Sequence, residues 1–145
     1  MAFCLVSCGC KAERKARYNY LKKPNVSHTI LNIIIAAVWL INGLFSKVLG
    51  LAPRHEAIVA RILGDEFAHP LTILIGISEI FMAVWVISKF RVTLSTYTQI
   101  IIVITMNILE TILAPDLLLW GHWNLLWAVS FCVIIWINHK LATAK

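Results

Sequence analysis

Four stretches of about twenty residues are almost free of ionisable side chains, and no other feature of the chain limits its fold so tightly. Between Lys23 and Lys47 the only titratable residue is His28, and 30–45 is apolar apart from Asn32 and Asn42. This gives a first span over about 29–49, introduced by Pro24 and closed by Gly50 and Pro53. A second covers about 70–88 with one acid, Glu79, inside it; a third covers about 92–113, uncharged until Glu110 and ended by Pro115; a fourth covers about 120–138. Each is long enough to cross a hydrocarbon layer of roughly 30 Å. Backbone groups in lipid must bond within their own segment or a closed barrel, so runs of this length become helices. The expected fold is all-α: a four-transmembrane-helix bundle. Pro53 then opens a short amphipathic interfacial helix over about 53–63, between the first and second spans, with Ile58, Ile62, Ala57 and Leu63 opposite Arg54, Glu56 and Arg61. Composition agrees, because 60% of the 145 residues are apolar and 14% are charged, against roughly 25% charged in soluble domains. A soluble fold is excluded, and so is a large separate catalytic domain.

The net charge of +6 would suit a nucleic-acid ligand on a soluble protein. Its placement points to a membrane instead. Lys11, Arg14, Lys15, Arg17, Lys22 and Lys23, six of the thirteen basic residues, lie in a basic tail, 1–28, ahead of the first span. With Lys89, Arg91, Lys140 and Lys145 they put ten on one side of an alternating four-span chain, against three, Lys47, Arg54 and Arg61, on the other. The positive-inside rule therefore places the N-terminal tail and the C-terminal tail, 139–145, in the cytoplasm.

Cysteine usage names no chemistry. Cys4, Cys8 and Cys10 lie in the tail without a neighbouring histidine, Cys132 lies in the last span, and no Cys-x-x-Cys pair occurs. A dithiol redox site and a zinc site are both unsupported. Leu5-Val6-Ser7-Cys8 resembles a lipoprotein cleavage box, but the apolar run before it is far shorter than an export signal.

The polar residues inside the spans form one stripe on each helix. Trp39, Asn42, Gly43 and Ser46 share a face in the first, Thr72, Gly76, Glu79 and Ala83 in the second, Asn107, Glu110, Thr111 and Ala114 in the third, and Trp120, Trp123, Asn124, Trp127 and Phe131 in the fourth. At 1.5 Å per residue Glu110 lies about 5 Å and Asn107 about 9 Å from the outer end of the third span. The polar groups thus gather in the outer half, and the cytoplasmic half is expected to hold almost none. Trp39, Asn42, Lys47, Glu79, Asn107, Glu110, Asn124 and Trp127 are the candidates for a polar core or a ligand pocket, with Arg54, His55, Arg61, Asp116 and His122 at its outer rim. His28, His69 and His139 fall at span ends, where interfacial solvation suffices. In one reading the asparagines join helices and the two acids pair with Lys47, Arg54 or Arg61. In the other, Glu79 and Glu110 handle protons or orient a ligand beside an aromatic wall.

Several segments together resemble the DoxX-like family of small integral membrane proteins. They are the run from Val38 to Leu51 with Pro53–Gly64, then Gly76-Ile77-Ser78-Glu79-Ile80 with Ala83-Val84-Trp85, and Met106–Glu110 running into Leu113–Gly121. The resemblance covers about 31–136 and implies a four-helix bundle, in a bacterial inner membrane, with no catalytic residue set to carry over. Some relatives in the wider group are small subunits of quinone-reducing or quinol-oxidising complexes, and a distant animal relative assembles receptors. The resemblance therefore implies an accessory or assembly subunit. The alternative is a subunit of a membrane oxidoreductase or lipid-modifying enzyme that binds a quinone, a lipid or another amphipathic ligand. No metal-ligand set is present and no nucleic acid is expected. The bilayer, a membrane-protein partner or a second copy of the chain are the expected surroundings.

Overall fold

The computed structural model describes residues 26–118, 121 and 123–144. Residues 1–25, with the tail's basic cluster and its three cysteines, and Leu119, Trp120, His122 and Lys145 lie outside the described residues. Five helices make up the described chain: α1, Val26–Val48; α2, Pro53–Leu63; α3, Asp65–Ser88; α4, Val92–Leu113; and α5, Trp123–Thr143. A single 3-10 turn, Pro115–Leu117, follows α4. All but α2 are long and apolar enough to cross a membrane.

Local chemistry sets the helix limits. Pro53 starts α2, where its missing N–H is no loss. Gly64, at φ 97°, ends it in a conformation that a side chain would resist. Asp65 and Glu66 then open α3, their charges matched to the helix N-terminus. This helix begins five residues ahead of Pro70, which lies within it. Between α3 and α4 the chain reverses over Lys89 and Arg91, both left-handed at φ 54° and 47°.

The last part of α1 departs from regular α-helix. Val26–Leu40 is α-helical, whereas Ile41–Val48 forms wider i→i+5 turns, capped by the Leu49 N–H donating to the Leu44 carbonyl at 2.8 Å. An α-helix turns about 100° per residue, which would put Lys47 about 140° away from Asn42. The wider turn brings residues five apart toward the same side.

Packing organises the spans as two intimate pairs, α1 with α3 and α4 with α5. The end where α1 begins, α3 ends, α4 begins and α5 ends is called the terminal end; the opposite end carries α2 and is called the loop end. At the terminal end the pairs close on a core of Ile35, Ala36, Trp39, Met82, Ala83, Val86 and Ile135. Toward the loop end they part. Among the described residues no Cα of Ile41–Val48 comes within 8 Å of α5. On the opposite side α2 packs on α3, touches α4 and covers the space between them.

The terminal end is not the apolar half that the stripe pattern suggests. Asn32 Nδ2 donates to the Val86 carbonyl at 2.7 Å, and Asn138 Nδ2 donates to Asn32 Oδ1 at 3.2 Å. His28 and His139 are buried there rather than solvated. Ser95, Thr96 and Gln99 are buried on α4. A lone polar residue on an otherwise apolar turn gives no periodic signal, so its helix partner becomes visible only in three dimensions.

Candidate functional site

Two glycines bring the site together. A Cβ on Gly43 would stand 2.5 Å from the Gly76 carbonyl oxygen, and one on Gly76 would stand 2.8 Å from that of Gly43. The backbones of α1 and α3 are therefore in direct contact, as small residues permit in membrane helices. One turn beyond this crossing Lys47 donates to Glu79 Oε1 in an ion pair whose side chains are only 12% and 10% exposed. Glu79 Oε2 is buried without a partner among the described residues.

The other pair of helices supplies the facing wall. Asn124 Nδ2 donates to Asn107 Oδ1 at 3.0 Å and, more weakly, to Glu110 Oε2 at 3.5 Å, joining α5 to α4. Asn107 in turn donates to the Val103 carbonyl at 2.9 Å, which fixes its rotamer. These three residues behave as inter-helix polar contacts while keeping one side open.

Between the two walls lies a cavity of about 790 Å³, within the roughly 300–1,000 Å³ of small-molecule sites. Trp39, Asn42, Lys47, Glu79, Asn107, Glu110, Asn124 and Trp127 all line it. The Asn42 carboxamide has no hydrogen-bond partner among the described residues and is accessible within the cavity. Trp39 forms part of the lining at the terminal-end side. Its Nε1 donates to Gln99 Oε1 at 2.9 Å, and its ring lies 6.4 Å from that of Phe131. Gln99 is itself held by two donations from Nε2 to Ser95, both at 3.2 Å. Gln99 lies eight residues before Asn107, about 80° around α4, so spacing sets it near the polar face without naming Trp39 as its partner.

The rim residues separate into two groups. Arg54 and His55 line the cavity from α2, together with Ile58, Val59, Ile62 and Leu63. Arg54 is thus on the same side as Ile58 rather than opposite it, because α2 has its face toward the bundle centred between them. Burial, then the Lys47 and Arg54 charges, push the His55 imidazole down to about 4, and its Nδ1 is buried without a partner among the described residues. His55 is therefore neutral at physiological pH. Arg61 does not line the cavity; its guanidinium meets both Asp116 oxygens at 3.3 Å on the exposed surface, tying α2 to the turn after α4. His122 lies outside the described residues.

Among the described residues no group of three or more His, Cys, Asp or Glu side chains is arranged to hold a metal ion. What the cavity does offer is a set of hydrogen-bonding groups, among them the acids Glu79 and Glu110 and the cations Lys47 and Arg54, on an apolar and aromatic lining.

Every residue lining this cavity falls between Val38 and Phe131, and the profile of the DoxX-like family matches residues 36–136. The chain belongs to the DoxX-like family. It is thus a small multi-pass integral membrane protein, and the family match takes in all the walls of the cavity. Searches among curated proteins and among solved structures each return no significant match.

Proposed function

We propose that this member of the DoxX-like family holds one small amphipathic molecule, a quinone or a lipid, in the loop-end cavity. The observation that carries this reading is Asn42: a carboxamide inside a membrane span, facing a 790 Å³ cavity, with no partner among the described residues. A polar group unsatisfied in lipid costs several kcal/mol. A residue that served only to join helices would instead be engaged, as Asn32 and Asn124 are. Asn42 offers both a donor and an acceptor, Glu110 and Glu79 offer carboxylate oxygens, and Arg54 stands at the rim. With a quinone bound, Glu79 and Glu110 are the groups placed to exchange protons with its oxygens. An accessory or assembly role needs no catalytic set beyond this, since a subunit that presents a ligand leaves the chemistry to its partner.

The same reading places the protein in the inner membrane of a bacterium with both termini in the cytoplasm and the cavity toward the outer face. Charge supports this arrangement: ten Lys and Arg, Lys89 and Arg91 of the α3–α4 turn among them, fall on the side of the two tails, against three on the other.

Purification from native membranes followed by mass spectrometry of an organic extract tests the reading. One quinone or lipid species should be retained near one per chain, and Asn42→Leu and Glu110→Gln should each lower its retention at least tenfold. A protein that carries no enriched species, with both variants indistinguishable from wild type, overturns it.

A further inference from the structure

The cavity is lined at the loop end by Arg54 and His55 of α2, and on one flank it lies between α1 and α5. These helices meet at the terminal end, where Trp39 approaches Phe131 and Asn32 bonds Asn138. Beyond Leu40 they separate, and no Cα of Ile41–Val48 lies within 8 Å of α5 among the described residues. The corresponding separation of α3 from α4 is covered by α2; the α1–α5 side has no such cover among the described residues.

The residues on either side of this separation show which phase it meets. Trp127 lines the cavity and yet is 60% exposed, so it stands in the opening itself. Asn42, across from it on α1, is likewise both lining and exposed. Ile41 and Phe45 on Ile41–Val48, and Trp123, Leu125 and Leu126 at the start of α5, are further exposed large side chains, all apolar. An opening to water would leave these surfaces poorly solvated, whereas one to hydrocarbon suits them.

From this geometry we infer that the cavity is loaded sideways from the bilayer, through an α1–α5 portal framed by Asn42 and Trp127. Its occupant is a neutral hydrogen-bonding head group on one apolar chain. The head is neutral because the close charge pair on the lining, Lys47 with Glu79, is already matched, and the group that meets the portal, Asn42, is uncharged. It bonds to Asn42 as it passes the portal, and the chain remains in the opening against the Trp127 ring, partly in lipid. This inference rests on the cavity being a ligand site and adds the route and the ligand's tail.

Two probes with the same glycerol head separate the route from the site. The full chain in phosphatidylcholine nanodiscs is titrated with monoolein, which has an eighteen-carbon chain, and with monobutyrin, which has four carbons, and binding is read by native mass spectrometry. Monoolein should bind one per chain and monobutyrin at least tenfold more weakly. Trp127→Ala should speed exchange of bound monoolein several-fold while circular dichroism stays unchanged, and Asn42→Leu should weaken it at least tenfold. Equal binding of the two probes, with exchange indifferent to Trp127→Ala, would mean loading from the aqueous loop end; it overturns the portal and leaves the cavity a ligand site. If neither probe binds while a co-purified molecule is present, the assigned head group and tail are wrong. If neither binds and nothing co-purifies, the cavity reading falls with the portal.

Discussion

The two ends of the bundle use similar residues to opposite effect. At the terminal end Asn32 and Asn138 link α1, α3 and α5, and Trp39 is fixed by Gln99. Ile35 and Ile135 fill the space between them and are 0% and 1% exposed. At the loop end Asn42, Asn107, Asn124, Glu110 and Trp127 stand on the same helices, but the helices part and the side chains surround a cavity. Polar residues in a membrane span therefore do not by themselves distinguish glue from site. The distinction lies in whether the helices close around them, and three features set this end apart: the Gly43–Gly76 crossing, the wide turns of Ile41–Val48 and the packing of α2 on α3.

The largest effect expected is at the crossing. Gly76→Val should destabilise the protein by about 3 kcal/mol or more, because its Cβ would meet the Gly43 carbonyl oxygen and the added methyls have nowhere to go. Thermal unfolding in detergent reads this, and an unchanged midpoint would mean that the α1–α3 contact is not what positions Lys47 and Glu79.

Breaking the ion pair comes next. Glu79→Gln leaves Lys47 largely buried without its counter-charge, at a cost of about 3 kcal/mol, the low end for a buried pair because both side chains keep about a tenth of their surface exposed. The double variant Lys47→Met with Glu79→Gln should recover much of that loss. Additive losses in this cycle would show that the two residues act independently.

The comparison itself is sharpened by one pair of substitutions. Asn32→Leu should cost about 1–3 kcal/mol, since it strands the Asn138 carboxamide and leaves the Val86 carbonyl only the Lys89 N–H as donor. Asn42→Leu removes no bond among the described residues and should leave unfolding within about 0.5 kcal/mol of wild type. Equal losses at the two positions would erase the difference between the ends.

The smallest effect is a pH dependence from His55. Above pH 6.5 the imidazole is neutral in both the folded and the unfolded chain. Between 6.5 and about 4 only the unfolded chain takes up the proton, so stability falls as pH drops through this window. His55→Gln should flatten the unfolding midpoint over pH 6.5–4.5; an unaltered slope would assign it to other groups.

Much of this organisation is legible in the sequence. Apolar run length gives the four spans, and helical spacing gives the face that carries Asn42, Glu79, Asn107, Glu110 and Asn124. Spacing names a face, however, and not the neighbour opposite it. That Lys47 pairs with Glu79, while Arg61 pairs with Asp116 on the surface, depends on the pairing of α1 with α3 and on the turn of α2. The wide turn at Ile41–Val48 breaks the 3.6-residue register on which the stripe argument depends. Asn32 and Asn138 carry no such signal, because each is a single polar residue near a span end, a position where solvation is the ordinary outcome.

The most direct test of the central claim is to measure, in one purified preparation of each, the unfolding midpoint and the bound mass of wild type, Asn42→Leu and Asn32→Leu. If the loop end is a site and the terminal end is a lock, Asn42→Leu loses the bound molecule at an unchanged midpoint, and Asn32→Leu lowers the midpoint while its folded fraction still carries the molecule. An empty wild type, with both variants shifting the midpoint equally, would contradict it.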